Sequence, residues 1–240
     1  MIHNSTEKYL SERTIIVIPA RSGSKRLPHK NTLLIKGKPL FYYAIEVAKE
    51  ALITPHIYVL SDDEAILTLA EGYGAIPFKL PLELAGDTTE VVKPSLYALK
   101  VLKETQNLDF ADLICLQPTS PLRSTEDVVK SYLLFKEKEA NSLISTSIVD
   151  PHFFHWAIEE KEGQGKFYFG SKFMKSRTEL PAIYYPNGAI KIAKVPILQK
   201  QESFFGDAFE LYQMPAERSL SIGERFEFEL CKYIMEKKKA

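Results

Sequence analysis

Cysteine is scarce in this sequence, and neither sign of charge is in excess. Cys115 and Cys231 lie far apart, in no spacing typical of a metal site. Lysine and arginine number 31, as do aspartate and glutamate, so the formal net charge is zero. A neutral chain has no overall electrostatic attraction for nucleic acid or for an anionic membrane. We therefore expect two reduced thiols and no nucleic-acid partner.

Long apolar runs and the common phosphate-binding signatures are also missing. No stretch approaches the roughly 18 apolar residues of a membrane span, and residues 1–13, interpreted as an N-terminal extension, carry charges rather than a signal-peptide core. These absences predict no membrane partner and a cytoplasmic location. Neither G-x-x-x-x-G-K-[ST] nor G-x-G-x-x-G occurs. A nucleotide site in this chain would therefore use a different loop.

The sequence does contain a regular alternation of strand-like and helix-like segments up to residue 150. Short β-branched runs such as TIIVIPA and HIYVLSD are followed by amphipathic stretches such as PLFYYAIEVAKEAL. This order is typical of a parallel sheet with right-handed crossovers. It predicts an α/β fold whose mostly parallel sheet has helices on both faces.

Residues 151–186 differ in composition: they are rich in aromatic residues and interrupted by glycine and proline. We interpret them as a β-rich arm inserted into a domain that spans residues 14–230. The arm's aromatic side chains form either a small local core or a surface for a second copy of the chain. We favour the second interpretation, a homodimer, because the aromatic set is large: Phe153, Phe154, Trp156, Phe167 and Phe169.

The segment IPARSGSKRLPHKN, residues 18–31, concentrates positive charge directly after the first strand-like run. Ligands of open α/β sheets bind at the carboxyl ends of the strands. Gly23 between two serines lets the backbone approach a phosphate closely, and the neighbouring cations can neutralise a triphosphate. The alternative is a solvated basic loop, which is disfavoured because the cations repel one another without a counter-ion. These cations are Arg21, Lys25, Arg26 and Lys30.

The same segment resembles the first signature of the cytidylyltransferases that activate sialic acids and related nonulosonic acids, among them legionaminic and pseudaminic acids, as CMP-sugars. LQPTSPLRS at 116–124 resembles the family's second motif, and the likeness continues through VLSDDEAILTLAEGYGAIPF, ELAGDT and RTELPAIYYPNGAIKI. The resemblance implies a Rossmann-like nucleotidyltransferase fold with a β-rich dimerisation arm. It also implies the substrate CTP, a requirement for Mg²⁺ and the release of pyrophosphate.

The resemblance implies roles for individual residues on the nucleotide side of the site. Three are expected to be catalytic, because they would offset charge on the phosphates: Arg21, Lys30 and, from the arm, Arg177. Arg177 could instead be a free surface arginine, and Asn31 could cap a helix rather than read the base. The expected nucleotide-binding set is Arg21, Ser22, Gly23, Ser24, Lys25, Lys30, Asn31, Asp87 and Thr88.

On the sugar side, the resemblance implies a substrate-binding set formed by Gln117, Thr119, Ser120, Tyr184 and Asn187. Arg123 lies on the same loop as Gln117, with ion pairing to Glu126 or Asp127 as the alternative to a role in the site.

One departure from the family concerns the metal. Ser221 and Gly223 stand where the family has two aspartates that hold Mg²⁺, and neither can supply a carboxylate. We therefore expect CTP to carry most of the Mg²⁺ coordination. The expected activity is transfer of CMP from CTP to the anomeric hydroxyl of a nonulosonic acid. The alternative is a diverged homologue that binds a nucleotide or sugar without this catalysis.

Overall fold

A computed structural model describes residues 11–86 and 89–237 of the chain. Most of the predicted extension 1–13 lies outside the described residues, as do two residues of the expected nucleotide-binding set, Asp87 and Thr88.

The described chain alternates strands and helices in the predicted order. The strands are β1 Thr14–Pro19, β2 Leu34–Ile35, β3 Lys38–Pro39, β4 Ile57–Ser61, β5 Ile76–Lys79, β6 Asp112–Leu116, β7 Ser142–Val149, β8 Ile158–Lys161, β9 Gln164–Phe167, β10 Ile183–Lys194 and β11 Glu210–Gln213. The α-helices are α1 Tyr42–Glu50, α2 Glu64–Gly72, α3 Val92–Gln106, α4 Thr125–Glu137, α5 Pro151–His155, α6 Val195–Gln201 and α7 Arg225–Lys237.

A seven-stranded sheet with the order β11-β7-β10-β6-β1-β4-β5 forms the centre of the molecule. β1 pairs in parallel with both β4 and β6, whereas β10 runs antiparallel to β6 and β7. The carboxyl ends of β1, β4 and β6 therefore meet at one edge. The predicted mostly parallel α/β sheet is confirmed.

Helices cover both faces of this sheet, because its central strands β1, β4 and β6 are buried on both sides. One core lies under α1, α2 and α4, with Ile16, Ala44 and Phe135 among its buried residues. The other lies under α3 and α6 and includes Val17 and Leu102. A strand buried on both faces reads as a continuous apolar run, which is why TIIVIP was recognisable in the sequence. The predicted placement of helices on both faces is confirmed.

A third apolar cluster attaches the final helix to the basic loop that follows β1. Leu27, from the middle of that loop, packs with Ile222, and with Phe228 and Cys231 of α7. The loop is therefore anchored by one buried leucine while its charged side chains stay near the surface.

The arm predicted at 151–186 contains α5 and a hairpin of β8 and β9. A small aromatic cluster joins these pieces, with the His155 ring stacked on Phe173 at 4.4 Å and the Phe154 and Phe169 rings 4.9 Å apart. β10 already begins at Ile183, so the last four residues of the predicted arm belong to the central sheet. Among the described residues, no helix is long and apolar enough to cross a membrane.

Candidate functional site

A pocket of about 690 Å³ lies at the carboxyl edge of the sheet. Seven parts of the chain line it: the basic loop, Leu60 of β4, described residues between 80 and 94, the segment after β6, Lys191 of β10, residues 203–205 and residues 221–223. These parts are far apart in sequence, so only the folded sheet brings them together.

The basic loop contributes most of the positive charge of this pocket. Arg21, Arg26 and Lys30 line it, and Glu90 is the carboxylate among the described lining residues. Lys30 Nζ donates a hydrogen bond to the Ile222 carbonyl at 3.2 Å, and Arg21 Nη1 donates to the Gly86 carbonyl. Both cations are thereby held beside the opening rather than extended into solvent. The pocket is suited to a polyanionic ligand.

The Asp62 carboxylate holds the start of the loop through Ser22. It accepts hydrogen bonds from the Ser22 N–H at 2.8 Å and from the Ser22 hydroxyl at 2.5 Å. Burial alone would raise the pKa of Asp62, but these two hydrogen bonds outweigh it and lower the pKa below its ordinary value. Asp62 was missed as a site residue, although its place directly after β4 was a usable signal.

Asn31 supports the loop from beneath. Its side chain is 7% exposed, and Nδ2 donates to the Arg21 carbonyl at 2.8 Å. Asn31 lies within a short 3-10 helix, Lys30–Thr32, so it does not occupy the capping position considered as its alternative role. Asn31 also lines the pocket, as does Gly23, whereas Ser22, Ser24 and Lys25 are not among the lining residues.

The segment after β6 contributes Gln117 and Thr119 to the pocket. Gly188 makes room for Gln117: its φ is +74°, and a Cβ there would lie 2.8 Å from Gln117 Oε1. Ser120 is fully buried, and its hydroxyl has no hydrogen-bond partner among the described residues. Two of the predicted substrate residues, Gln117 and Thr119, therefore reach the pocket.

Arg123 is buried beneath this segment and does not pair with Glu126 or Asp127. Its Nη1 donates to the backbone carbonyls of Ala189 at 2.7 Å and Gln117 at 3.2 Å. Burial lowers the pKa of the Arg123 guanidinium to about 10. Arg123 therefore ties β10 to the segment that carries Gln117.

The remaining predicted site residues are not among those that line the pocket. Asn187 is buried in a polar network, in which Oδ1 accepts from the Ser145 hydroxyl at 2.6 Å and Nδ2 donates to Ser219 Oγ at 3.0 Å. Tyr184 is 43% exposed on β10. Arg177 lies on the arm with its side chain 67% exposed, and its nearest carboxylate is Asp150 at 3.5 Å. The structure of one chain does not bring these three residues to the pocket.

Several lining residues were missed by the sequence analysis. Lys191 stands in the otherwise apolar strand segment NGAIKIA, and a lone cation in such a run was a usable signal. Phe204 and Phe205 come from an irregular connection after α6 that has no local signature. Their contribution depends on where α6 packs.

The described residues offer few side chains that could bind a metal ion. The segment 221–223 presents the Ser221 hydroxyl and no carboxylate, and the described chain contains no cluster of three or more His, Cys, Asp or Glu side chains suited to a metal. Mg²⁺ prefers carboxylates and phosphate oxygens. These residues do not fit a Mg²⁺ ion held mainly by the protein.

Comparison with known proteins agrees with this geometry. The family described as cytidylyltransferase matches residues 15–182. The N-acylneuraminate cytidylyltransferase of Escherichia coli O18:K1:H7 is 32% identical over 94% of this chain, and the match covers 53% of that relative. The CMP-N,N'-diacetyllegionaminic acid synthase of Legionella pneumophila is 32% identical over 93% of this chain and 97% of its own length. This chain thus spans about half the length of the first relative and nearly all of the second.

A solved structure described as CMP:2-keto-3-deoxy-manno-octonic acid synthetase complexed with CTP superposes with a TM-score of 0.72. It shares 16% sequence identity and covers 95% of this chain and 100% of its own chain. This likeness establishes the nucleotidyltransferase fold. Together with the family match over residues 15–182, it leads to one conclusion: the chain belongs to the cytidylyltransferase family.

Proposed function

We propose that this protein transfers CMP from CTP to the anomeric hydroxyl of a nonulosonic acid, giving a CMP-sugar and pyrophosphate. The observation that carries the proposal is the convergence of Arg21, Arg26 and Lys30 on one pocket at the carboxyl ends of the parallel strands. The names of two relatives support the choice of acceptor, since they refer to N-acylneuraminate and to N,N'-diacetyllegionaminic acid.

The strand order suggests how the ligands divide the pocket. Apolar residues, among them Leu60, Leu80 and Val92, line the end near β4 and β5, which suits the flat face of a pyrimidine. The basic loop projects from β1 in the middle, where the phosphates would lie. The other end, at β6 and β10, carries Gln117 and is left for the acceptor.

In the proposed reaction, the anomeric oxygen forms a bond to the α-phosphorus, and its proton passes to solvent water. The bond from that phosphorus to the bridging oxygen breaks, and pyrophosphate leaves with the electron pair. Arg21, Arg26 and Lys30 offset the charge that develops on the α-phosphate and on the departing group. Lys30 is oriented by the Ile222 carbonyl, so part of its positioning precedes ligand binding.

Mg²⁺ arrives with CTP, because the described pocket residues offer few ligands for it. The arm pairs with a second copy, since large apolar residues such as Phe153, 89% exposed, stand on its surface. Arg177 would then serve the partner's pocket. A cytoplasmic location remains a prediction from the sequence.

The test is release of pyrophosphate from CTP and Mg²⁺ with a panel of N-acetylneuraminic, legionaminic and pseudaminic acids. We expect turnover with at least one acid and none with CTP alone. CTP binding without turnover of any acid would favour the second candidate, a nucleotide-binding homologue without this catalysis. The absence of carboxylates at Ser221 and Gly223 is the observation that favours that candidate.

A further inference from the structure

Lys191 lies at the floor of the pocket, in the interior of the central sheet. It stands opposite Cys115 on β6 and opposite Ile144 on β7. Both neighbours belong to the apolar core beneath α3 and α6. The lysine stem therefore runs along apolar surface, and its ammonium group ends among the lining residues of the pocket.

The ammonium of Lys191 contacts two aromatic rings. Nζ is 5.7 Å from the ring centroid of Phe204 and 5.7 Å from that of Phe205. Within residues 11–86 and 89–237, it makes no hydrogen bond and no ion pair. Two ring faces compensate a partly desolvated ammonium only in part, because a cation–π contact is weaker than a charge-assisted hydrogen bond. An anionic group of a ligand would complete its coordination.

The position of Lys191 separates it from the groups that we assign to the phosphates. β10 is two strands away from β1 in the sheet, a lateral distance of about 10 Å. It is next to β6, whose continuation carries Gln117. Lys191 and Gln117 both line the pocket. Lys191 thus belongs to the acceptor end of the pocket.

We infer that Lys191 binds the C1 carboxylate of the acceptor sugar and is a specificity-determining residue for carboxylated acceptors. This inference rests on the proposed function, which supplies an acceptor that is anionic at neutral pH. The ammonium would form a charge-assisted hydrogen bond with the carboxylate, and the rings of Phe204 and Phe205 would keep water from the pair. The loop cations would remain engaged with the triphosphate.

The test compares one acid with its neutral analogue in two variants. The acceptor is the panel acid with the highest kcat/KM, together with the C1 carboxamide of the same sugar. In the parent protein, kcat/KM for the acid should exceed that for the amide. In Lys191→Met, KM for the acid should rise by on the order of 10- to 100-fold, while KM for CTP and the rate with the amide change little. Lys191→Arg should restore part of the preference for the acid.

Lys194→Met is the matched control, because Lys194 lies on the same strand and donates to the Glu139 carbonyl at 2.7 Å, outside the set that lines the pocket. Lys194→Met should leave KM for the acid, for the amide and for CTP unchanged. An equal fall in kcat/KM for the acid and for the amide in Lys191→Met would overturn the inference, since it would indicate a packing role for Lys191. A rise in KM for CTP alone would overturn it too and would assign Lys191 to the phosphates.

If the proposed function is wrong, the same experiment gives a different result. The parent would then show no pyrophosphate release with any acid, and calorimetry would detect no binding of the acids. The carboxylate inference would be overturned together with the function. Normal turnover by the parent with an unchanged acid preference in Lys191→Met would overturn the inference alone.

Discussion

The basic loop and the arm both interrupt the regular alternation of strands and helices, and they are held in opposite ways. The loop, residues 21–31, is bonded inward: Ser22 to Asp62, Asn31 to the Arg21 carbonyl and Lys30 to the Ile222 carbonyl. In the arm, residues 151–182, the β8–β9 hairpin forms a two-stranded sheet of its own.

This contrast extends to the apolar side chains of the two regions. Leu27 of the loop is 5% exposed, whereas Phe153 and Tyr168 of the arm are 89% and 65% exposed. A region whose polar and apolar groups are satisfied within one chain has its geometry set by that chain. A region that leaves aromatic area uncovered depends for its function on something that covers it. Under the proposed function, the loop would need only a ligand, whereas the arm would pair with a second copy of the chain.

The largest effect should come from removing Lys30, one of the pocket-lining cations that we assign to the phosphates. Lys30→Ala should lower kcat by on the order of 100- to 1000-fold, because a group that stabilises developing charge is lost. The measurement is pyrophosphate release at saturating CTP and acceptor. Lys38→Ala is the control, since Lys38 lies over the rings of Tyr42 and Tyr73 and does not line the pocket. A similar kcat in Lys30→Ala and Lys38→Ala would show that Lys30 has no role in catalysis.

The predicted pairing of the arm with a second copy can be tested by removing exposed aromatic side chains from the arm. Phe153→Ser with Tyr168→Ser should raise the dimer dissociation constant by about 30-fold or more, because buried aromatic anchors dominate interface energies. Light scattering over a concentration series measures this constant. Phe226→Ser, at a residue 76% exposed on α7, is the matched control and should leave the dimer intact. A parent protein that is monomeric at micromolar concentration would contradict the prediction.

A smaller effect should show how the loop depends on Asp62. The folded-state pKa of this carboxyl is lower than its ordinary value of 3.8, so its contribution to stability is present above that value. The contribution is lost as the pH falls through the lower folded pKa. Asp62→Asn should therefore cost about 1 kcal/mol at neutral pH, allowing for solvent screening of a partly exposed group.

Urea unfolding of the parent and of Asp62→Asn at several pH values measures that difference. The two stabilities should converge once the pH has fallen below the lowered folded-state pKa of Asp62, where the parent carboxyl is also protonated. Asp63→Asn is a useful neighbour control: Asp63 caps α2 by accepting from the Ala65 N–H, so its loss should lower stability without altering the loop. A constant difference between parent and Asp62→Asn at all pH values would exclude the carboxylate as the cause.

The smallest expected effect concerns residues 221–223, which contact the basic loop. Ser221→Asp with Gly223→Asp should lower the Mg²⁺ concentration for half-maximal turnover about threefold, since two carboxylate ligands are added. The gain is limited because a Cβ at Gly223 would lie 3.3 Å from Arg26 Nη1, which would compete for the new carboxylate. Gly223 has no left-handed φ, so backbone strain is not expected there.

The isosteric pair Ser221→Asn with Gly223→Asn provides the control for this variant, because it adds the same volume without charge. A Mg²⁺ titration of activity in all three proteins makes the measurement. If both pairs behave alike, the segment does not approach the metal.

Much of the fold and part of the site followed from local pattern. The strands were recognisable because a strand buried on both faces is a continuous apolar run. The loop cations could be placed near a ligand because the loop leaves β1 at the carboxyl edge. The structural roles of Asn31 and Asn187 could not be foreseen, because an amide side chain serves a ligand or the backbone equally well.

What the sequence determined by itself is the alternation of strands and helices, the exit of a basic loop from the first strand and the family to which the motifs belong. Each depends on residues close together in the chain, so periodicity and spacing suffice. The tertiary structure decided which distant residues share the pocket. β10 enters the sheet antiparallel between β6 and β7, and this pairing brings Lys191 beside Gln117 and carries the chain on to Phe204 and Ser221. Such contacts are set by packing between elements far apart in sequence, for which a single chain segment contains no local signal.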